Sequence, residues 1–254
     1  MSIHNLISAF GVLLLIGFLA LLSQHKRSIS LRVLVWALGL QILFALFVFR
    51  VPFGAKLFFF LNNFAMGVID SSFQGAQFLF GRLAIPPGKA NSLGFILAFQ
   101  ALPSIVFFAA LMELLYYFGV MEKMIGLFAR IFVNVLGISG AESLCASAQI
   151  FLGIESNLTV RPYLKEMTRS ELLVVLTTGM ATIASSVLGL YVIILSGTFS
   201  NVAAHLISAS ILLAPAAIMA SKLLIPETGK PITLGCIVSI EYEKPGNPIE
   251  AVIN

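Results

Sequence analysis

The sequence predicts an all-α integral membrane protein with several membrane-spanning helices, interfacial helices, one re-entrant hairpin and one discontinuous helix. Three observations predict this class. Of 254 residues, 59% are hydrophobic and 10% charged, and the mean hydropathy is +1.03, more apolar than a water-soluble core requires. The apolar residues come in runs of about 20, the length that carries a helix across a hydrocarbon layer of about 30 Å. Two of the later runs are interrupted by polar or small residues near their middles, where an ordinary span is uniformly apolar.

The same composition removes several function classes. Cys145 and Cys236 lie far apart without metal-ligand spacing, so both read as small hydrophobes rather than as a disulfide or zinc site. His4, His25 and His205 show no pairing by helical spacing, which leaves no metal centre to expect. A net charge of +4 on such a chain bears on membrane orientation, and no nucleic-acid partner is expected. No Ser/His or Asp/Asp pair falls on facing helical positions, so an enzyme is not expected.

Residues 6–22, "LISAFGVLLLIGFLALL", form the first span. The run is too long for a signal-peptide core and its basic residues follow it, so it reads as a retained helix. Residues 31–49 form the second. The loop between them holds His25, Lys26 and Arg27, with Arg32 just beyond, and by the positive-inside tendency it faces the cytoplasm. Residues 53–84 mix Phe60, Phe64, Val68 and Phe73 with Asn62, Asp70, Ser72 and Gln77, a pattern read as a helix lying along the interface. The turn "IPPGKANS" ends it. Residues 93–120 read as a third span kinked at Pro103, and residues 121–136, with Glu122, Lys123 and Arg130 among apolar residues, as a second interfacial helix.

Residues 137–164, "GISGAESLCASAQIFLGIESNLTVRPYL", have apolar length for about half a span, then a polar knot, then another short half. That is the pattern of a re-entrant hairpin with Glu155 at its tip; the small residues before the knot suit close helix packing. The other reading is an ordinary surface loop in which Glu155 caps the chain. Residues 171–195 are long enough to span, but "TTGMATIASS" at their centre serves either tight helix packing or an unwound break whose carbonyls face a ligand. Residues 203–225 make a last span with a kink at Pro215. Beyond "PETGK" the chain turns polar.

The order and wording of these segments resemble the concentrative nucleoside transporter family. "FQALPSIVFFAALMELLYYFGVM" is similar to its third membrane helix, "GISGAESLCASAQIFLG" leads into its first hairpin, and "TTGMATIASSVLGLYV" and "HLISASILLAPAAIMASKLLIPET" are similar to the broken helix and the helix after it. The likeness runs along nearly the whole chain and covers about the first three-fifths of a usual member. It implies inward nucleoside transport by ion-coupled symport in a homotrimer embedded in membrane lipid, with sodium or a proton as coupling ion, in a bacterial inner membrane. It also implies a substrate site at the hairpin tip, where Ile154, Glu155, Ser156 and Asn157 stand. The family's glutamine at this tip is Ile154 here, and the carboxylate and hydroxyl are exchanged, so the usual base preference does not carry over. The matching ion positions are Gln149, Leu152, Thr182 and Ile183, with Gln149 in place of an asparagine.

Three regions result: a scaffold at 1–92; a gate or transport region at 93–226 that holds the hairpin (137–164), the broken helix (171–195) and the following helix (203–225); and a polar linker at 227–254. The family's second hairpin has no counterpart in these residues. The expectation is a nucleoside symporter of which this chain carries the first-hairpin half of the substrate site, the rest being supplied by another chain or missing from an incomplete copy. The alternative is an incomplete or split copy acting as a non-transporting membrane assembly partner.

Overall fold

A computed structural model describes residues 3–86, 89–195, 199, 201–238, 246–248 and 250. Among these residues nine α-helices follow one another: α1 (Ile3–Leu21), α2 (Leu31–Arg50), α3 (Pro52–Phe80), α4 (Leu97–Tyr117), α5 (Val120–Ile131), α6 (Gly140–Leu152), α7 (Arg169–Ala181), α8 (Ser185–Leu195) and α9 (Val202–Leu224). Local chemistry sets several of their ends. The Ser30 hydroxyl accepts from Val33 N–H to start α2, and Pro52 opens α3, where its missing N–H is not needed. Pro103 and Pro215 sit inside α4 and α9, which continue through them.

The stretches Leu31–Val48, Pro52–Ala84, Leu97–Tyr117 and Val202–Leu224 are each long and apolar enough to cross a membrane. Large apolar side chains cover the outer surface, among them Phe10, Leu43, Phe60, Phe78 and Val106. Such a surface is stable in lipid and not in water. The protein is an all-α integral membrane protein.

The segment expected as an interfacial helix, residues 53–84, is helical throughout, with a 3-10 turn over its last four residues. Its α-helical part, α3, has 29 residues and is about 43 Å long at 1.5 Å per residue. Its polar face is not wholly for water: Asn62 and Ser72 are buried, and Asn62 Oδ1 accepts from Ala204 N–H of α9 at 3.4 Å. A polar stripe on a membrane helix serves helix–helix contact as readily as a headgroup layer. The stretch after α4 keeps the amphipathic pattern: Met121, Ile125 and Ala129 of α5 are buried on one face, and a π-helical turn, Phe132–Leu136, follows.

The core lies around α9. Its Ala214, Ile218, Met219 and Leu223 pack with Val33 and Ala37 of α2, Ala146 and Ile150 of α6 and Val174 of α7. Helix α6 is the most enclosed element, with every residue from Gly140 to Ile150 buried. At 13 residues it is about 20 Å long, short of a full crossing. Part of the polar tail expected as a linker folds back onto it. Gly140 N–H donates to Thr233 O at 2.9 Å, and Ala141 N–H to Thr233 Oγ1 at 3.1 Å.

Candidate functional site

Helix α6 stops at Gly153, whose backbone (φ 65°, ψ −144°) is open to glycine and little else. The chain then reverses as a 3-10 segment, Gly153–Tyr163, that packs along α6. A helical hairpin results. Its turn lies against the break between α7 and α8: a β-carbon on Gly153 would come within 2.8 Å of Ala184 N. The break follows Ala181, where Thr182 adopts an extended conformation. The C-terminus of α6 therefore meets the break at which α7 ends and α8 begins, Ala184 O accepting from Leu188 N–H of α8 at 2.9 Å. The ends of α6 and α7 bring the negative end of a helix dipole and carbonyls released from the helical ladder, and the start of α8 brings a positive end.

The predicted site residues divide between two sides of the hairpin. Ile154 is 61% exposed and Glu155 is exposed as well. Ser156 is fully buried, its hydroxyl donating to Gly153 O at 2.8 Å. Asn157 turns inward and its Oδ1 accepts from Gln149 Nε2 at 2.6 Å and from Cys145 Sγ at 3.4 Å. Gln149 is fully buried and also donates to Val175 O of α7 at 3.1 Å. Gly179 leaves room for this pair, since a β-carbon there would lie 3.0 Å from Gln149 Nε2. The structure thus brings Gln149, Ser156 and Asn157 together inside the hairpin and leaves Ile154 and Glu155 outside that cluster.

The other expected ion positions line the junction. Leu152 ends α6, half-buried; Thr182 caps α7, with its hydroxyl donating to Thr178 O at 2.9 Å; Ile183 lies half-buried in the break. A hard cation needs several oxygens with free lone pairs at short range. Both lone pairs of Asn157 Oδ1 are engaged, and Val175 O faces an amide N–H. Gln149 Oε1, buried beside them, has no hydrogen-bond partner among the described residues.

Sequence reasoning missed a second polar cluster, at the opposite end of α6. Ser139 and Glu142 form a capping box there, with Ser139 N–H donating to Glu142 Oε2 at 3.0 Å. The other carboxylate oxygen of Glu142 pairs with Lys222 of α9. Lys222 Nζ also donates to Ser170 Oγ at 3.0 Å and to Glu227 Oε2 at 3.3 Å, so three acceptors match its three N–H groups. Thr168 and Glu171 repeat the capping box on α7, and Thr168 Oγ1 donates to Glu227 Oε2 at 2.9 Å. The available signal was the spacing Ser139-x-x-Glu142 and Thr168-x-x-Glu171.

Comparisons with known proteins match most of the chain. A family model described as "Na+ dependent nucleoside transporter N-terminus" matches residues 10–83, and one described as "Nucleoside recognition" matches residues 98–198. An uncharacterized transporter of Haemophilus influenzae is 38% identical over 246 residues, covering 96% of this chain and 57% of the relative. Solute carrier family 28 member 3 of Homo sapiens is 38% identical over 250 residues, covering 98% of this chain and 34% of the relative. Among solved structures, CNTnw in an inward-facing substrate-bound state superposes with a TM-score of 0.84 at 35% identity, covering 98% of this chain and 58% of that chain. The chain thus spans between about a third and three-fifths of the length of these relatives.

Proposed function

This chain belongs to the concentrative nucleoside transporter family, a family of transporters rather than enzymes, and on that premise we propose that it contributes the first-hairpin half of an inward nucleoside permease. The observation that carries the reading is the hairpin itself: a half-length buried helix, a glycine reversal and an exposed carboxylate, Glu155, lying against a broken helix. Irregular backbone beside membrane spans is tolerated where it lines a binding cavity. Ionised Glu155 accepts hydrogen bonds from a polar ligand such as a nucleoside, with Ile154 as its apolar neighbour. Ser156 and Asn157 act from behind, by fixing the tip.

Transport is coupled to a cation, sodium or a proton, in a homotrimer of the bacterial inner membrane. The loop of Lys26 and Arg27 faces the cytoplasm. Gln24 N–H donates to Leu224 O at 3.0 Å, so the Lys222 cluster lies at that same end.

A second reading, an incomplete or split copy acting as a non-transporting membrane assembly partner, is favoured by one feature. Ile154, Leu158, Leu176 and Met180 leave an exposed apolar face around the tip, which another element of the complete transporter would cover. Uptake of tritiated nucleosides by cells expressing this chain, with and without an ion gradient, tests the proposal. Saturable, gradient-dependent uptake supports it. Uptake equal to that of cells without the chain, unchanged when the remaining part of a relative is co-expressed, contradicts it.

A further inference from the structure

We propose that Lys222 is a positioning residue that sets the axial register of the hairpin tip against the helix break, at the far ends of two helices about 20 Å long. The inference rests on the transporter reading above and concerns how that same site is held. Helices α6 and α7 are both 13 residues long, and each opens in a capping box, Ser139 with Glu142 and Thr168 with Glu171. They run side by side in the same direction. Ala146 and Ile150 of α6 pack with Val174 of α7, and Ala141 and Cys145 with Val175. Gln149 Nε2 donates to Val175 O at 3.1 Å, and Gly153 lies against the backbone of Ala184. The apolar part of this contact does little to fix the level, because small and branched side chains pack in more than one register as one helix slides past another.

The level is fixed at the base. Lys222 Nζ pairs with Glu142 of α6 and donates to Ser170 Oγ of α7 at 3.0 Å, so one ammonium group holds the first turns of both helices. Its third N–H goes to Glu227 Oε2 at 3.3 Å, which also accepts from Thr168 Oγ1 at 2.9 Å. Lys222 is itself buried in the last turn of α9, and Ser170 Oγ donates to Ile225 O just beyond it at 2.7 Å. Equal lengths from this common base bring the tip and the break to one level. A helix transmits an axial displacement along its length, so a slip at either base reaches Glu155 or the break undiminished. A buried ion pair is weak evidence for stability, and its best-attested use is to select one register among several.

The test is double electron–electron resonance on the purified full chain, with nitroxide labels on Leu158→Cys in the return arm of the hairpin and on Ile194→Cys beyond the break, in a Cys236→Ser background. Leu158 and Ile194 are exposed, and Cys145 is buried. With Lys222 in place one narrow distance is expected. Lys222→Met is expected to move or split it by about 1.5–5.4 Å, between one residue's rise and one turn. Lys222→Met combined with Glu142→Gln strands no charge at that pair, and gives the same shift should the single variant fail to fold. Ile218→Ala opens a cavity in the core around α9 and touches neither tie, so it is expected to lower the unfolding midpoint and leave the distance alone. A distance unmoved by the Lys222 variants overturns the proposal, because the lysine then only stabilises the fold. So does an equal shift in Ile218→Ala. Binding of a tritiated nucleoside to the unlabelled proteins is expected to weaken by about 10–100-fold in the Lys222 variants, and unchanged affinity despite a shift also overturns the positioning role. A shifted distance with no binding even by the wild type fails the functional reading alone, whereas saturable wild-type binding with an unmoved distance fails this inference alone.

Discussion

Gly153 carries the hairpin reversal, and the reason is steric on two counts. Its φ of 65° with ψ near −144° is hostile to a side chain, and a β-carbon would strike the backbone of Ala184 at 2.8 Å. Gly153→Ala is expected to lower stability by about 1–3 kcal/mol from backbone strain, with further loss from the clash, read as a fall in the unfolding midpoint. Glu142 and Lys222 form a buried pair at the other end of α6. Removing either partner strands the other's charge and is expected to cost about 3–5 kcal/mol. Combining Glu142→Gln with Lys222→Met is expected to cost clearly less than the sum, as a double-mutant cycle in denaturant would show. Additive losses would mean that the two groups are stabilised independently. Residue-level legibility was uneven. Glu155 stood out because a carboxylate in an apolar run has few uses. The Gln149–Asn157 bond did not, because the sequence does not say that a 3-10 arm turns Asn157 inward while leaving Glu155 exposed. The capping boxes were readable as motifs, but nothing in a capping motif announces that its carboxylate also takes a lysine from α9.

At the scale of elements, runs of apolar residues located α1, α2, α4 and α9 well, since length and hydropathy are local properties of the chain. The half-helix α6 was legible for the same reason, from small residues and a polar interruption, whereas the small residues of 177–186 suited tight packing as well as a break, and the break came from the family resemblance. The packing of α3 was not legible. Asn62 and Ser72 mark a polar face, and only the fold shows that both are buried and that Asn62 meets α9. The fold-back of residues 229–238 was also hidden, because its polar composition suits a free linker equally well. It supplies the hydrogen-bond acceptors for the first N–H groups of α6. Gly140 faces this strap so closely that a β-carbon would lie within 2.2 Å of Cys236 O. Gly140→Ala is therefore expected to push the strap off α6 and expose it to limited proteolysis. An unchanged cleavage rate would show that the strap does not depend on that contact.

On the scale of the whole molecule, the apolar outer surface follows from membrane insertion. Lys26 and Arg27 lie in the loop joined to the end of α9, Lys222 lies in the last turn of α9, and Arg169 opens α7 beside it. If that end faces the cytoplasm, Cys236, which is exposed on the strap, is expected to react with a membrane-impermeant maleimide in inside-out vesicles and not in intact cells. Cys145 is buried and should stay unlabelled in both. Labelling of Cys236 from the outside would reverse the orientation. The central claim is that the hairpin tip is half of a nucleoside site in which Glu155 touches the ligand. It is tested most directly by binding of a tritiated nucleoside to membranes containing the wild-type chain or Glu155→Gln, which keeps the side-chain shape and removes the charge. The account predicts saturable binding that the substitution weakens by about 10–100-fold, the worth of one hydrogen bond to a charged group. Equal affinity in both would contradict it.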